Sequence, residues 1–121
     1  MILHHYPTSP FAEKIRLIFG HKRIEWQEVI IPMVMPKPEL MPLTGGYRKT
    51  PVLQIGADVY CDTALICDVL EHLAPTPTLF PENVKGAARI VAQVEGRAQT
   101  CERWLPLWWA LPWPCSSQRR D

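Results

Sequence analysis

Apolar residues run along this chain in two rhythms, and their alternation predicts the order of its elements. Ile2, Leu3 and Tyr6 supply the apolar and aromatic side chains of a short buried strand. Ile15, Leu17, Ile18 and Phe19 then give the apolar face of a helix that begins at Pro10, is capped by Ser9 and has a stop signal at Gly20. Residues 24–31 alternate roughly with period two and predict a second strand, ended by Pro32. Residues 33–46 hold Pro36, Pro38, Pro42 and Gly45-Gly46, which leaves room for at most one short helix near 37–43. Residues 52–55, a turn at Gly56-Ala57-Asp58 and Val59-Tyr60 read as a hairpin. Asp62-Thr63 opens a last strongly periodic helix carrying Leu65, Ile66, Val69, Leu70 and Leu73.

Strand, helix, strand, short helix, hairpin, helix is an α/β order. It predicts one four-stranded mixed sheet with helices packed on it. That layout resembles a thioredoxin-like domain, βαβ-α-ββα, and is complete over residues 1–74. Residues 75–81, with Pro75, Pro77 and Pro81, read as a stiff linker. Over 82–121 a new stripe begins (Val84, Ala87, Ala88, Val91, Val94, Ala98, Cys101, Leu105), the first helix of a second, all-α unit that needs partners the chain does not supply. The end of the chain changes character. Residues 104–114 carry four of the five tryptophans and three prolines, too broken by proline to span a bilayer. Its composition is that of a GC-rich gene read out of frame, so the expectation is a truncated helical unit with an irregular tail.

Composition narrows the setting. In 121 residues, 47% are apolar, 21% are charged and the net charge is +1, which gives no reason to expect nucleic acid or an acidic membrane as partner. The four cysteines show no metal-ligand spacing, and Cys67 lies in a helical pattern as a buried free thiol. His4 and His5 are neighbours on a strand and point to opposite faces, a poor metal pair. No metal is expected. With no signal sequence at the N-terminus, a reducing, cytoplasmic setting is the default.

Three stretches carry the chemistry, and the layout brings them to one edge of the sheet: Ser9-Pro10-Phe11, Lys49-Thr50-Pro51-Val52-Leu53 and Asp62-Thr63-Ala64-Leu65-Ile66. By itself Ser9 is a helix cap with a modest tendency to hold an anion. Thr50-Pro51 by itself is a trans proline at a strand start, and Asp62 is a simple N-cap. Together, in order, the three stretches resemble the N-terminal domain of the cytosolic glutathione transferases, of the serine-dependent kind. The resemblance covers roughly residues 1–92, linker included.

The resemblance implies glutathione as co-substrate and a small electrophile as the second substrate. It makes Thr50-Pro51 a cis-proline step whose preceding backbone pairs with the cysteinyl part of glutathione. Asp62 would take the γ-glutamyl ammonium, and Thr63 with the free N–H groups of its helix would take the adjoining carboxylate. The usual pair there is Glu-Ser. Lys49 matches a position that reaches glutathione. Lys37 is a second candidate, for the glycyl carboxylate, although a solvated surface lysine is the plainer reading of it. Ser9 becomes the catalytic hydroxyl, donating a hydrogen bond to the glutathione sulfur and so favouring its thiolate. Tyr6 is the alternative, and Thr8 is a neighbouring hydroxyl on the same turn.

Members of that family carry a full helical domain that supplies most of the electrophile pocket. With only its first helix expected here, the glutathione half-site can be complete and the second pocket cannot. The homodimer the resemblance implies is weakened in the same way. A second reading is therefore a non-catalytic thioredoxin-like module that binds glutathione or a protein, a use to which the similar starvation proteins have put the fold.

Overall fold

The computed structural model describes residues 1–96 of the chain. Ile2–His5 form β1, the strand that the remaining elements join from both sides. Pro10–Lys22 form α1, which leads to β2 (Gln27–Ile30) lying parallel to β1, with Ile2 opposite Gln27 and His5 opposite Ile30. After α2 (Leu40–Thr44), β3 (Val52–Ile55) and β4 (Asp58–Cys61) form the hairpin. β3 runs antiparallel to β1, with His4 opposite Val52, and the strand order is β2-β1-β3-β4. Helix α3 (Thr63–Leu73) follows directly, and α4 (Lys85–Gly96) comes after the proline-rich segment. This is the mixed four-stranded sheet of the thioredoxin-like layout that the sequence predicts.

Strand alternation sorts the core into two faces. Leu3 and Leu53 point to one side, where they pack with Ile15, Ile18 and Phe19 of α1 and Ile66, Cys67 and Leu70 of α3. Val52 points to the other side, against Ile31 and Leu40. Cys67 is the buried free thiol the sequence predicts, and burial pushes its pKa up. His4 and His5 do face opposite ways and find separate partners, Gln54 Oε1 at 3.0 Å and Glu28 Oε2 at 3.3 Å.

Several boundaries differ from the sequence expectation. β1 ends at His5, so Tyr6 belongs to the turn. β2 starts only at Gln27, because Ile24 and Trp26 turn inward onto the first core cluster. α2 lies a few residues later than expected, and its Pro42 falls in the first turn, where a missing N–H leaves no bond unmade. Gly20 does not stop α1. The helix continues two residues to Lys22 and closes on Arg23 in the left-handed region at φ 54°.

Lys22 explains that extension. Its buried ammonium donates to the carbonyl oxygens of Ala74 and, at 2.8 Å, Pro77, and lies 2.7 Å from Glu71 Oε2. Desolvation raises the Glu71 pKa, but its bonds from Lys22, Thr78 and the Leu79 N–H outweigh that and leave it below the ordinary carboxylate value. The segment after α3 is thus tied to α1, with Leu79 and Phe80 packed on the core. Beyond it, Val84, Ile90 and Val91 are exposed, so these residues of the expected stripe and its neighbourhood find no cover. Val94 lies where only the backbone is described, and Ala98, Cys101, Leu105 and the tryptophan-rich tail lie outside the described residues. No helix among the described residues is long and apolar enough to cross a membrane.

Candidate functional site

Pro7 fits the second position of a turn because its φ is preset. The Ser9 N–H donates to the Tyr6 carbonyl at 3.1 Å and closes residues 6–9 into that turn. Ser9 is extended (φ −77°, ψ 117°), and its Oγ accepts from the Ala12 N–H at 3.3 Å, the N-cap the sequence predicts. The hydroxyl proton remains available to donate. Ser9 is only 2% exposed, whereas Tyr6 is half-buried and Thr8 is exposed. A ligand atom therefore reaches Ser9 only after its neighbours move, and reaches the Tyr6 side of the turn more directly.

The second corner is the entry to β3. The Thr50–Pro51 peptide bond is cis. Pro51 is buried, Thr50 is half-buried and Lys49 is exposed. Lys37 is not the solvated lysine that its surroundings in sequence suggest. It is 7% exposed, and its Nζ donates to the Arg48 carbonyl at 3.0 Å and sits 5.9 Å from the centroid of the Tyr6 ring. The desolvated ammonium is compensated by a carbonyl dipole and an aromatic face. It ties the loop ahead of α2 to the loop ahead of β3.

The third corner is the start of α3. Asp62 caps the helix through Oδ1, which accepts from the Ala64 N–H at 3.3 Å, yet its backbone is at φ 80°, ψ 128°. For a residue with a Cβ this is strained, and such strain gathers at functional positions. Asp62 is exposed, while Thr63 is buried. Tyr47, a residue the sequence did not single out, joins this corner. Burial raises its phenol pKa, and the charges of Asp62 and Cys61 add to the rise. A tyrosine after a Gly-Gly pair lies in no periodic run, so nothing local marks it.

Sheet register brings the corners together. His4 lies opposite Val52 and Val52 opposite Cys61, so one step further the turn after β1, Pro51 and Asp62 stand at the same end of the sheet. The carboxyl ends of β1 and β4 and the amino end of β3 thus gather a helix-capping hydroxyl, an exposed carboxylate and the backbone leading into β3. Such a set can hold a short zwitterionic peptide. A depression of about 260 Å³ between β2 and α2 shares Lys37 with this edge, and one of about 350 Å³ between α3 and α4 is lined by Asp68, Glu71, His72, Pro75 and Arg89. Neither of these two is lined by Ser9, Thr50, Pro51, Asp62 or Thr63.

Comparison with known proteins gives a consistent picture. A family model described as the glutathione S-transferase N-terminal domain matches residues 3–78. A crystal structure of a glutathione transferase-like protein from Pseudomonas syringae is 60% identical, with a TM-score of 0.66, over 71% of this chain and 31% of that one. A pyrimidodiazepine synthase of Drosophila melanogaster is 30% identical over 78 residues, which is 61% of this chain and 32% of the synthase. A glutathione transferase homologue from Burkholderia, solved with bound glutathione, shares the fold at 19% identity and a TM-score of 0.63, over 87% of this chain and 62% of that one. The chain spans about a third of the length of the first two relatives.

Proposed function

The chain belongs to the glutathione S-transferase family through its N-terminal domain, and we propose that it binds glutathione at the sheet edge and stabilises the thiolate for attack on an electrophile. The observation that carries this reading is the shared end of β1, β3 and β4, where Ser9, Thr50-Pro51 and Asp62-Thr63 meet within the matched residues. The glutathione bound to the Burkholderia homologue supports it.

In this reading the main chain of Thr50, two residues ahead of the first paired residue of β3, pairs with the cysteinyl unit like an added strand. Asp62 takes the γ-glutamyl ammonium, and the N–H groups at the start of α3 with the Thr63 hydroxyl take the neighbouring carboxylate. Lys49, exposed, and Lys37, buried beside Tyr6 with its ammonium on the Arg48 carbonyl, supply positive charge for the glycyl end. Ser9 acts as the serine-type hydroxyl. Its oxygen already accepts from Ala12, so its proton is directed elsewhere, to sulfur, and the dipole of α1 adds to the stabilisation of the thiolate. Tyr6 is the competing donor. Domain organisation follows the same reading: a glutathione-binding unit over 1–74, a linker over 75–81 and the beginning of a helical unit from 82. A small electrophile and a homodimer belong to the whole-protein activity proposed here, and a cytoplasmic setting suits the reduced thiol.

Retention on glutathione resin followed by conjugation of a general electrophile tests the reading. Binding with turnover supports it. Binding without turnover supports the alternative, a non-catalytic module, which the exposed Val84, Ile90 and Val91 favour as a protein-contacting face. Absence of binding removes both glutathione claims. Ser9→Ala and Tyr6→Phe, compared by the ultraviolet absorbance of the bound thiolate, identify the donor.

A further inference from the structure

Behind the turn that carries Ser9 lies a chain of polar side chains that the binding scheme does not use. Arg16, nearly two turns into α1, points back along the helix. Its Nη2 donates to the Pro7 carbonyl at 3.1 Å, its Nε and Nη2 both donate to Glu13 Oε2, and its Nη1 lies 3.4 Å from His5 Nδ1. His5 is fully buried, and its Nε2 is 3.3 Å from Glu28 Oε2 on β2. Arginine has only donors, so the contact with His5 is a hydrogen bond in the tautomer that keeps a lone pair on Nδ1 and carries its proton on Nε2, facing Glu28.

The geometry points to Arg16 as a positioning residue: it clamps the Pro7 carbonyl, and through it the turn that aims the Ser9 hydroxyl, while neutral His5 and Glu13 hold the guanidinium in place. The inference rests on the reading of Ser9 as the thiol-facing hydroxyl. Pro7 is one of the two central residues of the 6–9 turn, so a fixed Pro7 carbonyl fixes the peptide planes that follow it, Ser9 N–H included. Glu13 sits in the first turn of the same helix and neutralises Arg16, so the guanidinium does not compete for a developing thiolate.

His5 supplies the condition on which the clamp depends. The groups facing it are Arg16 from α1, Glu28 from β2, the Tyr6 backbone that follows it, and the Trp26 ring 6.0 Å away. Burial lowers its pKa most and Arg16 lowers it further, against the Tyr6 backbone and Glu28, so the buried imidazole takes up its proton at lower pH than a free one. Protonation puts an N–H against the guanidinium and releases Arg16 from one of its three supports.

The test uses the full 121-residue chain with Arg16→Met, which keeps the length of the side chain, and Arg16→Lys, which restores one donor. Two readouts are followed: amide hydrogen exchange at Ser9 without ligand, and the titration of bound glutathione's thiol by ultraviolet absorbance. In Arg16→Met, Ser9 exchange accelerates while Ile18 and Phe19 of the same helix keep their protection. The thiolate fraction at neutral pH falls roughly three- to tenfold, the size of one lost hydrogen bond. Glutathione affinity changes less than the thiolate fraction, and Arg16→Lys recovers part of both effects.

Unchanged Ser9 exchange in Arg16→Met overturns the inference, as does faster exchange with an unshifted thiol titration. Equal loss of protection at Ser9, Ile18 and Phe19 overturns it too, by making Arg16 a general stabiliser. If Ser9→Ala itself leaves the thiol titration at the wild-type position, the reading of Ser9 fails. The exchange arm still decides whether Arg16 holds the turn.

Discussion

The two helices that start at the candidate site begin in opposite ways. α1 opens on Ser9, a buried residue with an unstrained backbone, its turn braced from behind by Arg16. α3 opens on Asp62, exposed, at φ 80°, with a carboxylate that caps through Oδ1. Both caps accept an N–H at 3.3 Å, so as caps they are equivalent. The difference lies in what else each is placed to do. A residue that only caps needs no left-handed backbone, and strain of this kind opposes folding by about 1–3 kcal/mol. Asp62 therefore reads as a residue held for binding, and Ser9 as one held for stability with a proton to spare.

Substitutions separate these roles. The largest effect is expected from Asp62→Gly, which relaxes the positive φ and removes the carboxylate. Glutathione affinity falls about ten- to hundredfold, the range of a charge-assisted hydrogen bond. Stability meanwhile stays level or rises by up to about 1 kcal/mol. Calorimetric titration beside thermal melting reads both, and a large loss of stability would show that the strain at Asp62 is illusory. Ser9→Ala gives the reverse pattern: a loss of about 1 kcal/mol of stability with the cap, affinity altered only a few-fold, and a bound thiol that ionises at higher pH.

Acid provides a third comparison, between α1's surroundings and α3's. The His5 pKa in the folded chain is lowered from 6.5, so the unfolded chain binds more protons just below that value. The contribution of His5 is therefore full above about pH 6.5 and is lost as pH drops below it, with a slope of at most about 1.4 kcal/mol per unit for one proton. Glu71, lowered from 4.5, adds a second fall only below that pH. Denaturant midpoints between pH 5 and 8 check the first phase, which His5→Asn abolishes. The smallest effect belongs to the Arg89–Asp68 pair between α4 and α3. Both side chains are half exposed, at 51% and 50%, so Arg89→Ala changes stability by about 0.5 kcal/mol or less.

Where structure is local, the sequence was readable. The caps at Ser9 and Asp62 and the hairpin around Gly56 follow from residues within a few positions of one another. Of the apolar residues expected on α3, by contrast, Ile66 and Leu70 are buried but Leu65 and Leu73 are exposed. The sheet edge followed from topology, once four strands and a crossover were in hand. What could not be read depends on distant partners. Lys37 is buried because a carbonyl 11 residues away receives its ammonium, and lysine is otherwise among the least buried residues. α1 runs past Gly20 because Lys22 finds Glu71 and the carbonyls of Ala74 and Pro77. The chain Glu28–His5–Arg16–Pro7 spans two strands and a helix, and no short motif contains it.

The claim that this sheet edge holds glutathione is tested most directly by following the backbone amides of the 121-residue chain during titration with glutathione. The account predicts saturable shifts at Ser9, Thr50, Asp62 and Thr63, weakened in Asp62→Gly, with Ala88 of α4 unmoved. Titration that leaves those four amides in place, or moves only residues away from the shared end of β1, β3 and β4, would contradict it.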